Sequence, residues 1–276
     1  MRNFYPVIIS LVSFFINSLT MINFFIYNNG GKMYQKTQYL TAGDRAIVLE
    51  FGNEISKELN LLVRKIYYCI NNKNIEGIEE TVPTYRSLII YYNPQKVKYT
   101  DLTRQLEELE KSVTEITLPT AHITEIPVLY GEEYGPDLEF VAQYNKLSAK
   151  EVINLHTAKE YFIYMLGFSP GFPYLGGMSD KIATPRLEKP RLKVSEGSVG
   201  IAGKQTGIYP IESPGGWRII GRIPVKLYDP KKEFPFLLKS GDYIKFYPIN
   251  QERFKEIEKK VNEGNYNCKV ELYGSI

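Results

Sequence analysis

From Ala46 onward the apolar positions recur with periods that identify the elements carrying them. Ala46-Ile47-Val48-Leu49-Glu50-Phe51 is a short apolar run entered from the turn residues Gly43-Asp44, which predicts a strand. Ile55, Leu59, Leu62, Ile66 and Cys69 then recur at steps of four and three, one face of a helix that Asn71, Asn72 and Asn74 bring to an end. Residues 78–82 and 87–92 predict two strands separated by Pro83-Thr84-Tyr85. Leu102, Leu106, Leu109 and Val113 mark a second amphipathic helix, and residues 121–129 supply a closing strand. The order strand, helix, strand, strand, helix, strand predicts a small ferredoxin-like α/β domain over residues 33–125.

Past Tyr130 the texture changes. Residues 137–144 and 148–156 predict two short helices, the second opened by Ser148 and Glu151 as a capping box. Beyond Lys159 glycine and proline recur every few residues. Short apolar stretches lie between them at 161–166, 198–202, 217–220, 225–228 and 243–247, which is the pattern of an all-β barrel or sandwich. A charged helix at 251–261 and a strand at 269–273 complete a second domain over 126–276. The fold class is therefore α+β.

Composition narrows the function. A chain with 43% hydrophobic and 24% charged residues is globular. Its net charge of +3, with only short basic pairs such as Lys231-Lys232, argues against a nucleic-acid partner. Cys69 and Cys268 match no metal or redox spacing and read as reduced thiols of a cytoplasmic protein. From Phe4 to Tyr27 no charged residue occurs, a length able to span a bilayer. Pro6, Ser10, Ser13, Asn17, Ser18, Thr20 and Asn23 interrupt it, however, and no small-x-small cleavage site precedes Lys32. Residues 1–32 therefore read first as an apolar extension from an over-extended start, with the protein proper beginning at Met33. A membrane anchor through residues 4–27 is the competing reading.

Familiar catalytic signatures fail on physical grounds. Gly167-Phe168-Ser169-Pro170-Gly171 has the G-x-S-x-G form, but the residue after the serine must donate a backbone N–H to the oxyanion, and Pro170 has none. His122 and His156 both precede Ser169, against the hydrolase order. The run Gly197 to Gly203-Lys204 is one residue too long for a phosphate loop, and Gln205 stands where Ser or Thr should hold magnesium, so it reads as a glycine-rich barrel strand. With two histidines and two distant cysteines, no nitrogen- and sulfur-ligated metal site is expected.

A long ordered series of motifs carries more information than any of these. It includes Ile126-Pro127-Val128-Leu129-Tyr130-Gly131, Tyr134-Gly135-Pro136-Asp137-Leu138 and Tyr164-Met165-Leu166-Gly167-Phe168-Ser169-Pro170-Gly171-Phe172-Pro173-Tyr174-Leu175-Gly176-Gly177. Ala183-Thr184-Pro185-Arg186, Lys189-Pro190-Arg191, Gln205-Thr206-Gly207-Ile208-Tyr209-Pro210 and Ser213-Pro214-Gly215-Gly216-Trp217-Arg218-Ile219-Ile220-Gly221-Arg222 continue it. In order and spacing the series resembles the family of the 5-oxoprolinase B subunit, the histidine-kinase inhibitor KipI and allophanate-hydrolase subunit 1. It is also similar to part of the carboxyltransferase region of urea carboxylase.

The resemblance implies a cyclophilin-like β-barrel as the second domain. It also implies ATP-dependent opening of 5-oxo-L-proline to L-glutamate, with magnesium on the nucleotide and with the 5-oxoprolinase A and C subunits as partners. Inhibition of a sensor histidine kinase, or an allophanate hydrolase or urea carboxylase role, are the alternatives it carries. Such chemistry calls for cationic clamps and oriented donors. Arg186 and Arg191, each following a proline, are candidates to grip phosphate or carboxylate. Gln205, Thr206 and Tyr209 offer polar groups beside Gly200 and Gly203, where a ligand can approach the backbone. His156 is the candidate general acid or base by residue type, with a core or capping histidine as its structural alternative. Trp217 is a candidate binding platform, and Phe172, Pro173 and Tyr174 a candidate groove or partner interface. Arg186, Arg191, Gln205 and Tyr209 are expected to converge on one face of the barrel.

Overall fold

In the computed structural model, residues 33–274 are described. The apolar extension, with its readings as an over-extended start or an anchor, lies outside them. Among the described residues no helix is long and apolar enough to cross a membrane. The described residues divide into two compact units, the first ending at Pro119 and the second beginning at Thr120.

The first unit is a four-stranded antiparallel sheet with helices on one face. Its elements are β1 (Met33–Thr41), β2 (Ala46–Gly52), α1 (Lys57–Lys73), β3 (Ile78–Pro83), β4 (Ser87–Tyr92) and α2 (Tyr99–Lys111), with sheet order β1-β2-β4-β3. Ser56 caps α1 by accepting from the Leu59 N–H, and Asn74 ends it at φ 47°, a left-handed conformation that asparagine tolerates. Leu49, Phe51, Leu88 and Ile90 of the sheet pack with Leu59, Val63 and Ile66 of α1 and Leu102 and Leu106 of α2. β1 is an exposed edge strand rich in polar residues, which hid it from the apolar pattern.

One strand moves between units. The segment expected to close the first sheet forms β5 (His122–Tyr130), which belongs to the second unit, and β1 supplies the fourth strand of the first sheet instead. Strand-forming tendency is local, whereas the choice of partner is set by distant residues.

The second unit continues with α3 (Leu138–Tyr144), α4 (Ala149–Thr157), β6 (Glu160–Leu166), β7 (Pro173–Gly176), β8 (Arg191–Val194), β9 (Ser198–Ala202), β10 (Gln205–Ile208), β11 (Ser213–Gly215), β12 (Arg218–Arg222), β13 (Tyr243–Pro248), α5 (Gln251–Asn262) and β14 (Val270–Leu272). The glycine-rich run expected as a barrel strand is β9. The expected capping box is present at α4. Residues 225–228, expected as a strand, bury Val225 and Leu227 but form only an isolated bridge from Tyr228 to Phe236, in a stretch bounded by Pro224 and Pro230.

The main sheet runs β12-β9-β10-β7-β6-β13-β5-β14 and closes through a further pairing of β12 with β5, giving a seven-stranded barrel with β14 on its margin. Ile126, Val128, Ile163, Leu175, Val199, Ile201, Ile208 and Ile244 fill the interior, with Val152 of α4 and Ile257 of α5 packed against the same core. Truncating a fully buried member such as Ile244 to alanine would cost about 2–5 kcal/mol. On the opposite face of β9, β10 and β12, alternate residues meet a second, aromatic cluster under the two-stranded ribbon of β8 and β11.

Candidate functional site

His156, near the C-terminal end of α4, is wholly buried, and its ring lies 4.6 Å from that of Phe246 on β13. Nδ1 is 2.7 Å from the Tyr130 hydroxyl and Nε2 is 2.9 Å from Thr206 Oγ1. The Thr206 hydroxyl donates its hydrogen to the Gly200 carbonyl at 3.1 Å, so toward the imidazole it must accept. Nε2 therefore carries the proton, and Nδ1 accepts from Tyr130. Burial holds the imidazole pKa down to about 3. Both nitrogens are satisfied and neither faces solvent. The structure thus corrects the reading of His156 as a general acid or base: it is a neutral core histidine, with Thr206 as its interior partner. Tyr130 and Tyr161, whose hydroxyl donates to the His156 carbonyl at 2.7 Å, were not singled out because no local pattern links them to this ring.

The other candidates gather mostly on the outer face. The Phe172 ring meets those of Tyr174, Tyr209 and Trp217 at 5.1, 5.4 and 5.5 Å. Gly207 leaves room for them, since a Cβ there would stand 3.0 Å from Trp217 Cζ3 and 3.1 Å from Phe172 Cε1. Burial pushes the Tyr174 hydroxyl up to about 12, opposed by the nearby Arg186 guanidinium. The Tyr209 hydroxyl is raised by burial against a Trp217 backbone hydrogen bond and the charges of Arg186 and Arg191. Arg186 is exposed, with Cζ 5.9 Å from the centroid of the Trp217 ring. Among the described residues it makes no ion pair. Phe172 and Pro173 are buried, whereas Tyr174 and Gln205 are half-exposed and Gly203 forms the exposed β9–β10 turn at φ 58°.

Arg191 is engaged differently. Its Nη2 donates to Asp137 Oδ1 at 2.9 Å and its Nη1 to the Trp217 carbonyl at 3.4 Å, while Asp137 Oδ2 accepts from the Ile219 N–H at 2.6 Å. This guanidinium neutralises a buried carboxylate and braces Trp217, so it is a positioning residue for the aromatic platform. Sequence reasoning missed Asp137, which lies 54 positions from its partner.

Beside the platform runs the loop 167–171. Phe168 is 52% exposed at φ 64°, an uncommon conformation for a bulky side chain, and its ring meets Phe172 edge-on at 5.9 Å. Ser169 Oγ is buried without a hydrogen-bond partner among the described residues. The loop enters a strand, β7, and the nitrogens of His156 are already taken. The His122 ring instead faces Asp242, its Nδ1 3.9 Å from the carboxylate, so the arrangement is not a nucleophile elbow.

A seven-stranded barrel with an aromatic outer platform, an accessible arginine above it and a braced ribbon beside it defines a domain of mixed α/β architecture. The chain belongs to the carboxyltransferase-domain family, subdomains C and D, whose match covers residues 37–238. It is 43% identical to the 5-oxoprolinase B subunit of Bacillus subtilis (strain 168), over 80% of this chain and 96% of that one. It is 38% identical to the 5-oxoprolinase B subunit of Escherichia coli O157:H7, over 78% of this chain and 97% of that one. The solved urea carboxylase of Kluyveromyces lactis shares the fold at TM-score 0.71 and 22% identity, covering 89% of this chain and 25% of that larger one.

Proposed function

We propose that this chain is the B subunit of an ATP-dependent 5-oxoprolinase, opening 5-oxo-L-proline to L-glutamate together with the A and C subunits. The observation that carries the reading is the 43% identity to the Bacillus subtilis protein over nearly its whole length. The lactam is a poor electrophile. Transfer of the γ-phosphoryl group of ATP to its oxygen, with magnesium on the nucleotide, creates a leaving group. ADP leaves, water adds to the same carbon, the ring C–N bond breaks as the nitrogen takes up a proton, and a second water hydrolyses the resulting acyl phosphate to L-glutamate and phosphate. What this chain contributes is a cation held over an aromatic platform, Arg186 above Trp217, able to pair with a carboxylate or phosphate. Phe172, Pro173 and Tyr174 form the edge of that platform and serve its binding face, and the complex works in the cytoplasm, where ATP is supplied.

The test is coupled turnover of ATP and 5-oxoproline by the purified chain, by the A and C subunits, and by all three together. Turnover only when all are present is expected. Robust turnover by this chain alone, or full turnover without it, would refute the proposal.

A further inference from the structure

Between the β8–β11 ribbon and the loop that precedes α3 lies a cleft of about 190 Å³. At roughly 30 Å³ per water, that is room for about six waters, enough for a tetrahedral oxyanion with part of its hydration. Arg191, Lys193 and Arg222 line it, with Ser195 and Ser198, against the single carboxylate of Glu133.

Two observations in the cleft point to a ligand. Ser198 is only 5% exposed as a residue, and its hydroxyl, which makes no hydrogen bond among the described residues, is open to solvent on the cleft wall. Arg222 stands directly opposite Ser198 across the β9–β12 pair. Its Nε donates to the Glu196 carbonyl at 2.9 Å, which fixes the guanidinium plane, and its two terminal nitrogens make no hydrogen bond or ion pair among the described residues. Lys193 and Arg191 are already paired, with Glu212 at 2.9 Å and Asp137 at 2.9 Å, so they supply field more than free donors. A hydroxyl open to the cleft and a fixed guanidinium with unpaired terminal nitrogens, facing one small basic cleft, form a donor set for a compact, multiply charged oxyanion.

We propose that this cleft binds a phosphate group, either as free phosphate or as the terminal phosphate of a nucleotide. The proposal does not depend on the 5-oxoproline reading, because the chain by itself carries the site. It lies apart from Arg186, which takes no part in lining it.

Isothermal titration of the full chain with inorganic phosphate and with ATP, at constant ionic strength and with chloride as the control, tests it. Phosphate binding that ATP displaces would identify the shared group as the ligand. ATP binding that phosphate does not displace would assign the cleft to a nucleotide. Either result requires the same losses in variants: about tenfold or more in Kd for Arg222→Gln and about threefold for Ser198→Ala, with Lys226→Gln, outside the cleft, unchanged. Ser198→Ala removes no internal hydrogen bond and so preserves the fold if Arg222→Gln, which loses its contact with Glu196, melts early. Binding no stronger than chloride, or affinity unchanged in Ser198→Ala and Arg222→Gln, would overturn the proposal.

Discussion

Lowering the pH from 7 to 5 should weaken the second unit through His156. Groups from four strands surround the ring: Tyr130 of β5, Tyr161 of β6, Thr206 of β10 and Phe246 of β13. None carries a charge that would welcome an imidazolium. With an unfolded pKa of 6.5 and a folded value of about 3, the unfolded chain takes up a proton that the folded chain refuses. The stabilisation is present in full above pH 6.5 and is lost progressively as the pH falls toward 3. Linkage puts the loss between pH 7 and pH 5 at about 2 kcal/mol. The chain has a single tryptophan, and Trp217 lies in this unit, so urea unfolding followed by its fluorescence isolates the relevant transition. The comparison is with His156→Gln, whose amide can accept from Tyr130 and donate to Thr206 but does not titrate. Carboxylates shift both proteins alike, so the wild type should lose about 2 kcal/mol more than the variant. Equal losses in the two proteins would refute the reasoning.

Three further outcomes follow from the outer face. Arg186→Ala should lower turnover of the assembled complex about ten- to hundredfold, by loss of a charge-assisted contact, while leaving the melting temperature of the chain nearly unchanged. Arg191→Ala should instead lower the stability of the chain by about 2–4 kcal/mol in urea melts, because it strands the buried Asp137 carboxylate. Gly215→Ala would place a Cβ 2.3 Å from the Tyr209 hydroxyl, so it should destabilise by about 1–3 kcal/mol and alter Trp217 fluorescence even in the folded state.

The helices and the apolar strands were legible because their periods are local. Leu59, Ile66 and Cys69 mark one face of α1 in any context, and Val199 and Ile201 mark β9. β1 was not legible, since an edge strand needs no apolar run, and β7, β10 and β11 are too short and too rich in glycine and proline to show alternation. That gap reached the site. Gln205 and Thr206 are adjacent, so a strand must send them to opposite faces, and Thr206 goes to His156 in the core. Grouped as polar members of one glycine-rich strand, the two were not separated by the alternation of its faces. Arg186 and Arg191 looked alike in their Pro-Arg settings. What separates them is a carboxylate far away in sequence, which only the closed barrel brings to Arg191.

The barrel closes through β5, and this dictates when the chain can finish folding during synthesis. β5 is complete at residue 130, yet its partners emerge only at residues 218–222, 243–248 and 270–272. At about 5–20 residues per second, its edges remain without strand partners for on the order of ten seconds while Ile126 and Val128 await a core. The first unit pairs strands that are close in sequence and can assemble near the ribosome exit. The second cannot close its barrel until β12 and β13, made far downstream, reach the waiting β5.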